Sequence, residues 1–380
     1  MAVSVYPIRL LIAAGGTGGH VYPGIAIAEE WKRLHPDSTV TFVGTERGVE
    51  SKAVPAAGFE FRAIDARGFP RTPGIGQIRA LWAFGRSFVQ VAAIIKEVKP
   101  DAVIATGGFV SGPVGLWARL LSIPLVLQEQ NSVPGAVNRW LSLIANQVHI
   151  SFVESRNYFR RRNNLKVSGN PIRSSLLKQD RESAYEALGL DPARRTLLVF
   201  GGSRGAASIN RAVLGALAKL SAIPNLQILW QTGTDDFEAA STAARGATIP
   251  TRAFAYLDRM EKAYAVADLA VCRSGAMTIT ELTACGVPAI LIPYPHAARD
   301  HQTQNARGLV DRGAAEMVAD KDLTPESLAE HVVALFRDES RLRRMGRNAR
   351  AFSRTNAAER IVRSIEELVA VPVPAEDVEP

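Results

Sequence analysis

Four glycine-rich turns carry the residues of this sequence best suited to chemistry. Gly15-Gly16-Thr17-Gly18-Gly19 ends at His20, Thr106-Gly107-Gly108 precedes Phe109, Gly201-Gly202-Ser203 precedes a helical stretch from about Ala207, and Arg273-Ser274-Gly275 precedes Ala276. A strand, a glycine turn and a helix N-terminus together present unpaired backbone N–H groups and a partial positive charge, and the missing side chains let an anion approach closely. Phosphate is the natural ligand of such a turn, although the same turn also serves simply to pack a helix tightly on its strand. Neither Gly-x-Gly-x-x-Gly in its dinucleotide context nor Gly-x4-Gly-Lys-Ser/Thr occurs at the first turn, which weighs against simple NAD or ATP sites. His20 brings an imidazole whose ordinary pKa suits proton exchange near neutrality.

The elements that must position these turns follow one grammar twice. Arg9–Ala14 (RLLIAA) and residues 196–200 (TLLVF) read as buried strands that deliver the first and third turns, each followed by a helical stretch. Residues 101–105 and 268–272 deliver the second and fourth. Further strands at 39–43, 125–127, 226–230 and 289–292 complete a βα alternation that predicts parallel sheets covered by helices on both faces. The fold class is therefore α/β, with two Rossmann-like domains. The boundary is expected near Ser168-Gly169-Asn170-Pro171, where turn residues interrupt the pattern. In open α/β sheets ligands sit at the carboxyl ends of strands, so a cleft between the halves is the expected site.

Length agrees with two domains, since 380 residues exceed what one core usually organises. Two cysteines, Cys272 and Cys285, make no disulfide framework, and a reducing cytosol fits best. The first fifteen residues lack the basic start and cleavage pattern of a secretion signal, and residues 102–118 are too broken by glycine and proline to span a membrane. The charge is unevenly spread. Residues 1–170 hold 19 Lys/Arg against 11 Asp/Glu, a balance of +8, whereas residues 171–380 hold 26 against 26. The helical stretch at 75–98 has an apolar stripe at Ile78, Leu81, Gly85, Phe88, Ala92 and Ile95 that is expected to pack on a sheet. Trp82 and Phe84 lie off that stripe beside Arg79 and Arg86, a composition suited to the headgroup region of an anionic bilayer. The membrane patch is thus read as Ile75, Ile78, Arg79, Trp82, Phe84, Arg86 and Phe88, against the plainer reading of an ordinary helix with solvated arginines. No nucleic-acid motif accompanies the positive charge, and no nucleic-acid partner is expected.

Taken together, six ordered segments become specific: Gly15-Gly16-Thr17-Gly18-Gly19-His20 with Pro23; Thr106-Gly107-Gly108-Phe109-Val110-Ser111-Gly112-Pro113; Glu129-Gln130-Asn131; Gly169-Asn170-Pro171-Ile172-Arg173; Gly201-Gly202-Ser203-x-Gly205-Ala206; and Arg273-Ser274-Gly275-Ala276-x-Thr278-x-x-Glu281. From Arg9 to about Arg360 the chain resembles the MurG family, the lipid-linked N-acetylglucosaminyltransferases of bacterial peptidoglycan synthesis. The resemblance implies a GT-B architecture with parallel sheets facing a central cleft. It also implies inverting transfer of GlcNAc from UDP-GlcNAc to the 4-hydroxyl of MurNAc in undecaprenyl-pyrophosphoryl-MurNAc-pentapeptide (lipid I), which makes lipid II. Residues 1–168 would then form the acceptor- and membrane-associating domain and residues 169–355 the UDP-GlcNAc-binding domain, with a C-terminal helix at about 356–370 packing back on the first. The implied location is the bacterial cytoplasm, peripheral on the cytoplasmic face of an anionic plasma membrane, with cell-wall synthesis proteins as further candidate partners and no cofactor or metal.

The resemblance also implies residue roles. Ser203 at a helix start and Arg173 would offset the diphosphate charge in place of a metal; the only Asp-x-Asp-like string, Asp320-Lys321-Asp322, reads as a surface loop. The Glu281 carboxylate would accept the ribose hydroxyls, Ala276, Met277, Thr278, Ile279 and Thr280 would line the diphosphate and ribose end, and Leu257 would lie near the uracil. Gln302 with His301 would meet the sugar. Thr17, Gly18, Gly19 and Asn131 join the donor set, and Thr17, His20, Phe109 and Asn138 the acceptor set. Phe109 stands where the family often has tyrosine, which removes a hydroxyl. Inversion requires a base to take the acceptor proton; His20 is the first choice and Glu129 the rival. A UDP-GlcNAc 2-epimerase and a non-catalytic polyprenyl-pyrophosphate binding module remain as alternatives.

Overall fold

The computed structural model describes residues 7–68, 74–202 and 205–369, so Ser203 and the side chains of Ile75 and Ile78 lie outside the described residues. Two compact units divide the chain, residues 1–173 with 354–380 and residues 174–353.

The first unit is built on seven strands, β1 (Arg9–Ala14), β2 (Thr39–Gly44), β3 (Glu60–Ala63), β4 (Ala102–Gly107), β5 (Leu125–Glu129), β6 (Gln147–Ile150) and β7 (Leu165–Val167). All pair in parallel in the order β3-β2-β1-β4-β5-β6-β7. Parallel strands need crossover helices that cover both faces, and the central strands are accordingly continuous apolar runs. On one face the helices Gly18–Leu34 and Ala357–Val369 pack Ile25, Ile27 and Trp31 with Ile361, Val362 and Ile365. Each of those burials contributes roughly 1.5–3 kcal/mol. The surface pairs His35–Glu366 and Lys166–Glu367 add little beside them. On the other face the helices Ile75–Val98 and Ser111–Leu120 contribute Val91, Ile94, Ile95, Val114 and Ala118.

The helix Ile75–Val98 corrects the expected stripe. Its buried face runs through Ala80, Ala83, Ser87, Val91, Ile94 and Ile95, whereas Leu81 is 61% exposed and Gly85 also faces solvent. Small residues in the first half of the helix, Ala80, Ala83 and Ser87, take the buried positions there, and Val91, Ile94 and Ile95 take them in the second half. Phe84 and Phe88 do not join the exposed patch: Phe84 stacks on Phe88 (6.2 Å between centroids) and Phe88 on Trp117 (4.7 Å) of the next helix. The Trp117 indole N–H also donates to the Phe88 carbonyl at 2.7 Å.

The second unit repeats the plan with β8 (Arg195–Phe200), β9 (Leu226–Gln231), β10 (Thr251–Phe254), β11 (Leu269–Cys272), β12 (Ala289–Leu291) and β13 (Ala315–Met317), parallel in the order β10-β9-β8-β11-β12-β13. Its core joins Ile209 and Val213 of one helix to Leu328, Val332 and Phe336 of another beneath the sheet strands.

Candidate active site

The helices at the four glycine turns start uncapped, a trait they share with Ile75–Val98, Ala136–Leu141 and His301–Val310. The helices Gly18–Leu34, Ser111–Leu120, Ala207–Leu220 and Ala276–Cys285 carry neither a side-chain N-cap nor an acidic residue in the first turn. By contrast Arg181–Leu188, Pro325–Arg337 and Glu339–Phe352 have both, through Asp180, Thr324 and Asp338 with their following glutamates. Four helix starts are therefore left with their positive ends open, which is the arrangement an anion needs.

In the first unit the two glycine turns interlock. Gly108 has φ +79° and comes so close to Gly15 that a Cβ on it would lie 2.5 Å from the Gly15 carbonyl oxygen. Gly107, at φ +112°, faces His20: a Cβ there would lie 2.9 Å from Cδ2 and 3.1 Å from Nε2 of the imidazole. His20 sits in the first turn of its helix, with Thr106 Oγ1 donating to its backbone carbonyl at 2.7 Å. Its Nδ1 lies 3.1 Å from the Gly15 carbonyl and 3.4 Å from Thr17 Oγ1. A carbonyl only accepts, so the shorter contact is a hydrogen bond when Nδ1 carries the proton, and Nε2 then holds the lone pair.

Glu129 is buried, and its carboxylate accepts from Asn131 N (2.9 Å), Asn131 Nδ2 (3.3 Å), Gly135 N (3.1 Å) and Asn138 Nδ2 (2.8 Å). Two donors on each oxygen make it the anchor of the 131–138 segment, a geometry better suited to shaping a loop than to collecting a proton. Asn138 is buried as well, and its Oδ1 has no protein hydrogen-bond partner among the described residues. Asn170, from the Gly-Asn-Pro segment, ties the same strand ends together by accepting from Gln128 Nε2 (2.9 Å) and Ser151 Oγ (2.6 Å). Phe109 is half-buried beside Gly16. Arg173 lies in this unit too, its guanidinium 5.3 Å over the Tyr22 ring. Burial raises the pKa of Glu29 on the same helix, and the charge of Arg173 pulls it back.

In the second unit the turn after β8 is held by Gln231, whose Nε2 donates to the Gly202 carbonyl and whose Oε1 accepts from Leu257 N, each at 2.9 Å. One buried glutamine thus fixes both the glycine turn and Leu257. Gly205 (φ +75°) has no room for a side chain, since a Cβ would lie 2.0 Å from the Thr232 carbonyl. Beyond β11, Gly275 opens the helix that carries Ala276, Met277, Thr278, Ile279, Thr280 and Glu281; Ala276 and Ile279 are buried, whereas Met277, Thr278, Thr280 and Glu281 are partly accessible. Glu281 Oε2 accepts from Tyr264 Oη at 2.9 Å. Burial first, then the charge of Glu281, pushes the Tyr264 phenol well above its ordinary pKa, so the hydroxyl remains a donor. Ser274 Oγ donates to the Gln302 carbonyl (2.9 Å) and Gln302 Oε1 accepts from Tyr294 N (2.9 Å), which fixes Gln302 beside the turn. His301 precedes it at the start of the helix His301–Val310. Asp320 pairs with Arg273 and accepts from Ser208; burial alone would raise its pKa, but those two partners outweigh burial and lower it.

Sequence reasoning missed Glu50, Gln231 and Tyr264. Each is a lone polar residue with at least one key partner distant in the chain, Gly16, Leu257 and Glu281 respectively.

Two Rossmann-like domains with open helix starts at glycine turns beyond their parallel strands define the GT-B architecture. Residues 10–150 match the glycosyltransferase family 28 N-terminal domain and residues 196–361 the glycosyltransferase family 28 C-terminal domain, and the chain belongs to that family. It is 39% identical over 363 residues, 95% of this chain and 98% of the relative, to the UDP-N-acetylglucosamine--N-acetylmuramyl-(pentapeptide) pyrophosphoryl-undecaprenol N-acetylglucosamine transferase of Acetivibrio thermocellus. The protein of the same name from Prosthecochloris aestuarii is 43% identical over 356 residues, 92% of this chain and 96% of that one. The crystal structure of Acinetobacter baumannii MurG superposes with a TM-score of 0.74 at 30% identity, covering 95% of this chain and all of the other.

Proposed function

We propose that this chain transfers GlcNAc, with inversion, from UDP-GlcNAc to the 4-hydroxyl of MurNAc in undecaprenyl-pyrophosphoryl-MurNAc-pentapeptide, converting lipid I to lipid II for peptidoglycan. The observation that carries the reading is the near full-length identity to relatives bearing that name, which an epimerase or a binding module of the same architecture does not explain. In the reaction the acceptor oxygen attacks the anomeric carbon, its proton passes to His20 Nε2, and the bond from that carbon to the diphosphate oxygen breaks, releasing UDP. His20 is preferred to Glu129 because the latter's oxygens are already occupied by four donors. Asn138, with an amide oxygen awaiting a donor, and Asn131 serve the sugars; Glu281 accepts from the ribose hydroxyls; the open helix start at Ala276, with Arg173 and Ser203, balances the diphosphate.

The acceptor is a lipid, and an anionic membrane surface is the proposed working location. None of the described helices is long and apolar enough to cross a membrane. Contact would instead come from the face of the helix Ile75–Val98 that exposes Arg79, Leu81, Trp82, Arg86 and Val89.

The test is incubation with labelled UDP-GlcNAc and a lipid I analogue. A β-1,4-linked disaccharide lipid and stoichiometric UDP are expected. Conversion of UDP-GlcNAc to its 2-epimer, or no acceptor-dependent UDP release, would overturn the proposal.

A further inference from the structure

Glu50 is completely buried although it opens a short surface helix, Glu50–Ala56. Its carboxylate accepts from Thr45 N and Thr45 Oγ1, both at 2.8 Å to Oε1. It also accepts from Gly16 N, 3.1 Å from Oε2 and 3.3 Å from Oε1. Gly16 N belongs to the same peptide unit as the Gly15 carbonyl, the group that lies 3.1 Å from His20 Nδ1. One amide plane therefore has a buried carboxylate at its N–H end and the imidazole at its oxygen end.

We infer that Glu50 is a positioning residue for His20, acting through the Gly15–Gly16 peptide. An anionic acceptor on an amide N–H draws electron density toward the carbonyl, which becomes a stronger acceptor for the imidazole N–H, because hydrogen bonds in a chain polarise one another. The consequence at His20 is a fixed ring orientation, the proton held on Nδ1, and a more basic Nε2. In many hydrolases a carboxylate meets the imidazole directly; here a peptide group stands between them. The local backbone is built for that insertion. Gly16 has φ +93°, a conformation that presents its N–H to Glu50, and Gly108 leaves the Gly15 oxygen accessible because any Cβ at that position would collide with it. Gly48 makes the same allowance on the other side, since a Cβ there would fall on the Glu50 carboxylate. The inference rests on His20 being the proton acceptor only for its kinetic arm; the link from Glu50 to the imidazole stands by itself.

Glu50→Gln is the decisive variant. It preserves shape and can keep an oxygen toward Thr45, but it replaces the nearer acceptor of Gly16 N with an amide NH2, leaving only the longer 3.3 Å contact and removing the charge. Thr45→Val is the companion, removing a different hydrogen bond of the same carboxylate while leaving Gly16 its acceptor. Imidazole 15N resonances of His20, assigned by comparison with His20→Ala, report the tautomer without any turnover. We expect the Nδ1–H form in the parent and in Thr45→Val, and a shift toward the Nε2–H form in Glu50→Gln. Turnover at saturating UDP-GlcNAc should fall roughly tenfold in Glu50→Gln, with donor KM within about twofold. Adding Glu50→Gln to His20→Ala should cost nothing further. Unchanged His20 resonances in Glu50→Gln, or an equal fall in turnover with and without His20, would overturn the inference. Parent-like turnover in His20→Ala would instead remove the base assignment, leaving the nitrogen resonances to judge the link.

Discussion

Tyr264 Oη donates a 2.9 Å hydrogen bond to Glu281 Oε2, and so a buried phenol dictates how a partly accessible carboxylate is presented. Glu281 stands on the helix Ala276–Cys285 and Tyr264 on the helix Met260–Val266, and the tyrosine ring is itself braced edge-on by Phe200 at 5.9 Å. That hydrogen bond fixes the orientation of the carboxylate on its helix. Tyr264→Phe retains the ring and its packing. Donor KM is expected to rise about three- to tenfold, the cost of one hydrogen bond near 1 kcal/mol, with kcat within a factor of two. Glu281→Ala should raise KM further. Steady-state kinetics with varied UDP-GlcNAc check both, and a loss in Tyr264→Phe confined to kcat would contradict the assignment.

Gly107→Ala tests the meeting of the second glycine turn with the imidazole. Alanine is strained at φ +112°, and its methyl would press on Cδ2 and Nε2 of His20. We expect turnover to fall by about 10- to 100-fold through displacement of the ring. Stability should fall by only roughly 1–2 kcal/mol, and donor binding, measured by titration with UDP, should be unchanged. Retained turnover would mean that the ring position is not critical.

The glycine turns were legible in the sequence because their signals are local: a few adjacent residues specify a helix start and, at Gly16, Gly107, Gly108 and Gly202, a positive φ. The central strands β1, β4, β5, β8, β9, β11 and β12 were legible for a similar reason, as largely apolar runs, whereas interior β6 (QVHI), half polar, was not. Edge strands were not, since β3 (EFRA) and β10 (TRAF) are short, half-exposed and carry no clear alternation. The helix Ile75–Val98 was placed correctly but its buried face was not, because Ala80, Ala83 and Ser87 make close packing possible yet add nothing to a count of bulky apolar residues. Glu50, Gln231 and Tyr264 escaped entirely. Their partners Gly16, Leu257 and Glu281 lie 34, 26 and 17 residues away, and only the fold brings them together.

The exposed face of that helix gives a prediction about lipid. Trp82 is 72% and Val89 69% exposed, an unusual outlay of apolar surface beside Arg79 and Arg86. Trp82→Glu replaces an interface-seeking ring with a charge that anionic headgroups repel. Partitioning onto vesicles containing anionic lipid should fall about tenfold or more, the loss of over 1.4 kcal/mol. Turnover on a short-chain, water-soluble acceptor should stay near the parent value. Sedimentation with vesicles and the soluble-acceptor assay separate the two effects, and unchanged partitioning would place the membrane contact elsewhere.

His149 predicts how stability responds to acid. It lies on β6 with Nδ1 2.6 Å from Ser168 Oγ and Nε2 3.3 Å from Gln147 Oε1, and it is buried. Burial, aided by the charge of Lys166 in register on β7, pushes its pKa down from 6.5 to about 3. The folded chain therefore keeps this imidazole neutral, while the unfolded chain protonates it as pH drops below about 6.5. Protons bind preferentially to the unfolded state throughout the interval between those values, so the contribution of His149 is complete above about pH 7 and declines as pH falls toward 3. By pH 5 the decline should amount to about 2 kcal/mol, taking each pKa unit as about 1.36 kcal/mol. His149→Gln removes the titrating group at the expense of some packing. Its unfolding free energy in urea should start lower at neutral pH yet fall less between about pH 7.5 and 5 than that of the parent. Parallel curves for the two proteins would show that another group governs the acid response.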